Sequence, residues 1–192
     1  MSPAGVVYRG TGDMAYDAAS IAPVVRRVNI YSNSDVEANW LYGAGDTATC
    51  ALGNGNIVLC GRKYYSTPSA GYKLTFTIVT PYGTEVVAAT DITTSVQAGV
   101  WKIKPVKLDA DRFLVLYELG TDTSLYFSIF ANDGTQLKGQ TDTGVDASGY
   151  DESRATVIVL ENGDIIFGYA NSSNNWQTIR FDSAGVVKGR LS

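Results

Sequence analysis

The chain runs to 192 residues, 45% hydrophobic and 18% charged, with 15 Lys and Arg against 19 Asp and Glu for a net charge of −4. That balance excludes a disordered tail and a membrane span. An acidic chain also lacks the basic face that phosphate binding needs, so nucleic acid is excluded as the main partner. There is no histidine, which removes Ser-His-Asp and Cys-His nucleophile systems and the usual zinc sites.

The first residues lack a basic stretch followed by a long apolar run, so no secretory signal is visible. No apolar run approaches the ~20 residues of a membrane helix, and no membrane insertion is expected. Within 1–44, the pattern predicts a short helix over 13–22 that Pro23 ends, then a weak strand over 24–31. Cys50 and Cys60 flank a Gly53-Asn54-Gly55 turn. A three-residue loop would set them opposite each other, and a two-residue loop would offset them by one. They read as small buried apolar residues, with a cross-strand disulfide as the alternative. Two thiols without histidine make a poor metal site.

From residue 45 one pattern occurs three times. Its first landmark is an apolar residue, a polar turn and an apolar run. It reads Leu52-Gly53-Asn54-Gly55-Asn56 then 57–60, Leu108-Asp109-Ala110-Asp111-Arg112 then 113–117, and Leu160-Glu161-Asn162-Gly163-Asp164 then 165–169. Its second landmark is an alternating strand that closes on Gly83, Gly134 and Gly185, which stand 51 residues apart both times. The opening leucines stand 56 and 52 apart, so the first interval carries extra loop residues. Turn residues such as Asn-Gly supply the positive φ of a tight hairpin. A run that is apolar at every position predicts a strand covered on both faces. In the next strand Leu74, Phe76 and Ile78 share one side and Thr75 and Thr77 the other. A short fourth strand is expected at 85–89, 136–138 and 186–188. Each copy is therefore a four-stranded antiparallel meander that must stack on its neighbours to bury two faces.

This pattern resembles the blade repeats of β-propellers, similar to those in phage tail and fibre proteins and in bacterial surface proteins. The resemblance covers residues 45–192. It implies an all-β, propeller-like array of about three four-stranded antiparallel blades, at about 45–92, 93–143 and 144–192. Three blades are too few for a closed ring. Residues 1–44 would supply a fourth, divergent blade or an anchoring segment, or another copy of the chain would complete the ring. Residues 32–40 lack the Ser-x-Asp spacing and central Gly of a sialidase Asp-box, and that reading is rejected.

Binding sites on such folds lie on loops and between blades. Aromatics beside Asn and Ser suit sugars, because a ring face packs on a pyranose while amides and hydroxyls hold its hydroxyls. The candidate glycan-binding residues are Tyr64, Tyr65 and Tyr72 in a variable loop over 63–72, and Asn174, Asn175 and Trp176 in a loop over 171–176. Ordinary polar turns with edge-capping aromatics are the alternative. Trp40 and Trp101 precede first strands and are expected between blades. Asp109 and Asp111 share one turn, and Asp151 and Glu152 precede the third copy. They read as solvated turn acids, since a glycosidase pair needs a cleft that spacing cannot establish. Calcium at Asp109, Asp111 or Asp182 lacks a full ligand series.

The function expected is a non-enzymatic structural or receptor-binding module of a phage tail or fibre. It would take other virion proteins or copies of itself as partners, and a host surface glycan as ligand. It would need no cofactor or metal. It would be made in the host cytoplasm, with reduced thiols, and carried on the virion. The competing readings are a carbohydrate-active hydrolase or lyase on the same scaffold, and a lectin on a bacterial surface.

Overall fold

A computed structural model describes residues 6–8, 14–16, 47–66, 69–120, 124–146, 155–170 and 175–191. The first pieces form a two-stranded antiparallel ribbon, β1 (Val6–Tyr8) paired with β2 (Met14–Tyr16). Met14–Tyr16 is thus a strand where the sequence predicted the start of a helix. Cross-strand pairing of Val7 with Ala15 overrides there a helical signal carried by Met14 and four alanines. The strand expected over 24–31 lies outside the described residues.

Three four-stranded antiparallel sheets follow, each a simple meander. Sheet I holds β3 (Thr47–Ala51), β4 (Ile57–Tyr65), β5 (Gly71–Val79) and β6 (Glu85–Asp91). Sheet II holds β7 (Val100–Lys107), β8 (Arg112–Leu119), β9 (Ser124–Ala131) and β10 (Gln136–Asp146). Sheet III holds β11 (Ala155–Val159), β12 (Ile165–Ala170), β13 (Trp176–Phe181) and β14 (Val187–Leu191). No helix occurs among the described residues. The three apolar runs begin β4, β8 and β12, the second strand of each sheet.

Several strands run further than their apolar patterns suggest. β4 continues through Arg62 and Lys63 to Tyr65, so the variable loop shrinks to about 66–70, and Tyr64, Tyr65 and Tyr72 are strand residues. Trp101 lies within β7 rather than before it. β10 reaches Asp146 through three register shifts. Backbone pairing extends these strands, and backbone pairing leaves no hydropathy signal.

The sheets stack through two separate cores. Alternation along β8 sends Phe113, Val115 and Tyr117 into the first, against Val58, Cys60, Leu74, Phe76 and Ile78 of sheet I. It sends Leu114 and Leu116 into the second, with Leu125, Phe127 and Ile129, against Ile165, Phe167, Ile179 and Phe181 of sheet III. Every residue from Phe113 to Tyr117 is buried, as a doubly covered strand requires. The runs in sheets I and III fall short of that expectation: Ile57, Leu59 and Ile166 are only half-buried. These sheets stand at the ends of the stack, with one sheet neighbour each among the described residues.

One contact is used twice. Phe76 meets Phe130 at a centroid distance of 4.9 Å, and Phe127 meets Phe181 at 5.4 Å. The second pair is the first displaced by 51 residues at each member. The closing turns repeat in the same way. Gly83, Gly134 and Gly185 have φ of 83, 88 and 79° and donate to Thr80, Ala131 and Asp182. Gly134 lies against Phe76 and Val87 of the preceding sheet, and Gly185 against Phe127 and Lys138. No larger residue fits Gly185, because a Cβ there would enter the Phe127 ring. The fixed spacing of the closing glycines is thus the repeat of one sheet-to-sheet step.

The first turns differ instructively. Gly55 and Gly163 take φ of 85 and 81°, whereas Asp111 holds that place in sheet II. There the Asp109 carboxylate accepts from Asp111 N (2.9 Å) and Arg112 N (2.8 Å), closing the turn with a side chain. The loop between β3 and β4 is five residues long, with Ala51 paired to Ile57. Cys50 therefore pairs with Val58 and Cys60 with Ala48, leaving the thiols diagonal, and both are free. Burial pushes the Cys60 thiol well above its usual range.

Candidate functional site

The six sugar-binding candidates do not converge. Tyr64 and Tyr72 form a cross-strand pair, edge to face at 5.3 Å, with the Arg62 guanidinium 4.8 Å from the Tyr72 ring. Arg62 is buried, and Tyr72 packs against the first core. Tyr65 points to the opposite face of β4 by alternation. Its hydroxyl donates to Asp91 at 2.9 Å, and Asp91 also accepts from Lys73 (2.9 Å) and Thr75 (3.1 Å). Desolvation, then the Asp91 carboxylate, pushes the Tyr65 phenol well above its ordinary range. Asn175 and Trp176 lie on sheet III, and both are exposed. Asn174 lies outside the described residues, as do Trp40, Asp151 and Glu152.

The candidate acids are engaged locally. Besides its turn, Asp109 accepts from Arg112 Nε and Nη2, each at 2.7 Å. Desolvation raises its carboxyl, but Arg112 and two backbone N–H groups outweigh that and hold it below the usual range. Asp182 Oδ1 accepts from Ala184 N and Val186 N, while Oδ2 pairs with Lys188 at 2.9 Å. The Val186 N–H and then Lys188 depress its carboxyl. Asp164 is buried and binds Arg180 through Nε (2.8 Å) and Nη2. Among the described residues no three of His, Cys, Asp and Glu gather around a common point that could hold a metal.

Two shallow clefts open where one sheet's closing turn meets the sheet before it. The cleft between sheets I and II, about 390 Å³, is lined by Asn54, Asn56, Val86, Asp111, Asn132 and Asp133. The cleft between II and III, about 380 Å³, is lined by Arg112, Leu137, Lys138, Ser183 and Ala184 among others. They are the same place one repeat apart, since Leu137 follows Val86 by 51 residues and Ala184 follows Asp133 by 51. The first is lined with amides and carboxylates. The second is cationic, but its charges are spent: Arg112 on Asp109 and Lys138 on the Ala184 carbonyl.

The remaining surface is the outer face of sheet III. Register places Thr156, Gly168 and Thr178 in one row across β11, β12 and β13. Ile158, Ile166 and Arg180 form the next row, and Ala170 pairs with Trp176 in the row on the other side. Trp176 is 62% exposed and Ile158 51%. The Trp176 ring reaches diagonally over Gly168, its Cζ3 3.9 Å from where a Cβ on that glycine would sit. The sequence places this tryptophan at the end of a candidate sugar-binding loop; it is the first residue of β13, at the repeat position that Leu74 and Leu125 hold buried. What sets its face apart lies two residues on, where the third copy has Thr178 and Arg180 in place of Phe and Ile.

No protein-family model matches the chain, and no curated protein matches it. Among solved structures, it is similar to an α-L-arabinofuranosidase of Podospora anserina crystallised with cellotriose. The identity is 11% and the TM-score 0.35, over 83% of this chain and 70% of that one.

Proposed function

We propose that this chain is a non-enzymatic binding module, a propeller-type array of blades that presents a glycan-binding surface. The observation that carries this reading is the use of the acids. Asp109, Asp164, Asp182 and Asp91 each have an ion-pair partner and serve a turn or a strand pairing. A glycosidase needs one carboxyl protonated and poised over a cleft, whereas Asp109 is held ionised inside its own turn.

The twice-used ring contact and closing-turn contact support consecutive blades related by one step. On the back face of sheet I, Thr75, Thr77 and Val79 are buried while Ile57 and Leu59 stay half-buried. The resemblance to phage tail and fibre repeats supplies the setting, a virion component.

The experiment is a glycan array run beside a reducing-sugar assay on the same polysaccharides. Binding without release of reducing ends supports the module. Release that Asp109→Ala or Asp111→Ala abolishes replaces it with the hydrolase reading. Antibody labelling of purified particles tests the setting, and light scattering reads whether one chain or several complete the array.

A further inference from the structure

The outer face of sheet III occupies the place at which a further sheet would stack, and its chemistry is wrong for one. Each face that receives a following sheet presents a column of apolar side chains on its third strand. In sheet I these are Leu74, Phe76 and Ile78, and in sheet II they are Leu125, Phe127 and Ile129. All six are buried. The same positions in β13 are Trp176, Thr178 and Arg180. On the second strand, Cys60 and Leu116 give way to Gly168. Thr178 therefore stands where Phe76 and Phe127 receive the ring of the next sheet. The ring-on-ring contact that builds both cores has no donor on this face. Arg180 is exposed and would be desolvated beneath a fourth sheet, which costs far more than an aliphatic residue recovers.

The replacements make a different surface, and its parts fit one kind of ligand. We infer that this face is a saccharide-binding platform, with a pyranose ring stacked on Trp176 and its oligosaccharide running along β13 past Thr178 to Arg180. The inference rests on the reading of the chain as a glycan-binding module and names the site within it. Trp176, Thr178 and Arg180 alternate onto one face of a single strand. Four residues of strand span about 13 Å, the length of two to three sugar units. The indole reaches Gly168 by its Cζ3 edge and is otherwise largely exposed. An exposed indole has a face to offer the apolar C–H side of a sugar. Thr156 and Thr178 flank Gly168 through their methyls, 3.4 and 3.7 Å from where a Cβ would sit, which adds apolar surface beside the indole. At the far end the Arg180 guanidinium is anchored through Nε and Nη2 to the buried Asp164 carboxylate. That anchoring fixes the plane of a donor group at the end of the trough.

The test uses the full chain on an array of neutral and uronate-containing oligosaccharides, followed by calorimetry with the strongest array ligand. Trp176→Ala should weaken that ligand at least tenfold, and Trp176→Phe, which keeps an aromatic face, should restore most of the loss. Both variants should keep the wild-type denaturation midpoint, because the side chain is exposed. If the wild-type chain binds a glycan and Trp176→Ala binds it equally, the platform is overturned while the glycan-binding module stands. If no glycan binds, the module and the platform fall together. If the chain self-associates through this face, with Trp176→Ala monomeric and no glycan bound, the face is a protein interface and the inference is wrong.

Discussion

Phe127 and Thr178 stand 51 residues apart at the same place in consecutive sheets. Phe127 is sealed between sheets II and III, stacked on Phe181 with Lys138 Nζ 5.6 Å from its centroid. Thr178 lies on the outer face, in the row between Gly168 and Leu191. Toward the second strand their backbones pair alike, Phe127 with Leu116 and Thr178 with Gly168, and their closing turns have the same hydrogen bonds. A repeat of backbone geometry thus outlasts a repeat of side-chain chemistry. Where the chemistry stops repeating, no further sheet stacks among the described residues. Terminal units of stacked arrays commonly turn a polar outer face to solvent. Sheet III does so while keeping one large exposed aromatic.

The sharpest way to break this comparison is to truncate both members. Phe127→Ala should cost about 4 kcal/mol, combining lost burial with a cavity between two rigid sheets. Thr178→Ala should stay within about 0.5 kcal/mol, the usual range for a surface change. Urea denaturation of the two variants measures both values. Comparable losses at the two sites would mean that the outer face of sheet III is covered in solution.

A smaller effect separates the two kinds of turn glycine. Gly185 and Gly163 both take positive φ, at 79 and 81°. A Cβ on Gly185 enters the Phe127 ring of the neighbouring sheet, whereas on Gly163 the nearest atom is Ser183 Cβ at 3.8 Å. Gly163→Ala should therefore cost only the backbone penalty, about 1 kcal/mol. Gly185→Ala adds displacement of a packed ring and should cost about 3 kcal/mol. Equal costs would show that the closing turn does not hold the sheets together, and the repeated step would lose its physical basis.

The sequence carries the parts of this fold that are written in side chains. The runs starting at Ile57, Phe113 and Ile165 announce inner strands because burial on two faces demands apolar residues at every position. The glycines at 83, 134 and 185 announce turns because positive φ excludes most other residues. The extent of β4 past Arg62 is not legible, since charged residues enter a strand freely once their backbones are paired and a ring lies beside them. Nor is the offset of Cys50 and Cys60, which follows from one loop length. The candidate sugar-binding residues illustrate the same limit. Tyr64, Tyr65 and Tyr72 read as a loop cluster, yet strand alternation splits Tyr65 from the other two and spends its hydroxyl on Asp91. Trp176 reads the same as they do. Only alignment of the three copies sets it apart, by showing that its neighbours on the strand abandon the apolar pattern.

The smallest expected effect comes from the turns themselves and is read by pH. Asp133 and Asp182 both close their hairpins, and both carboxyls lie below the ordinary range of about 3.9. For Asp133 the causes are the Thr135 backbone N–H and then its hydroxyl, and for Asp182 the Val186 N–H and then Lys188. Asp109 is depressed as well, by Arg112 and its own turn against an opposing desolvation. A carboxyl with a lowered folded-state pKa contributes its full stabilisation above the unfolded value, and loses it as the pH falls through the folded value. The three should therefore contribute their full stabilisation above about pH 5 and lose it progressively as the pH falls below about 4. The urea midpoint should drop between pH 5 and pH 3, and less so in the Asp109→Asn/Asp133→Asn/Asp182→Asn variant. Asp133 is exposed and Asp109 and Asp182 are half-buried, so salt should partly screen the Lys188 and Arg112 contributions but leave those of the backbone N–H donors. Sheets II and III keep such turns alike although their outward faces differ. The acid response should accordingly survive the Trp176→Ala change unaltered, which would separate what holds the sheets from what the last one displays.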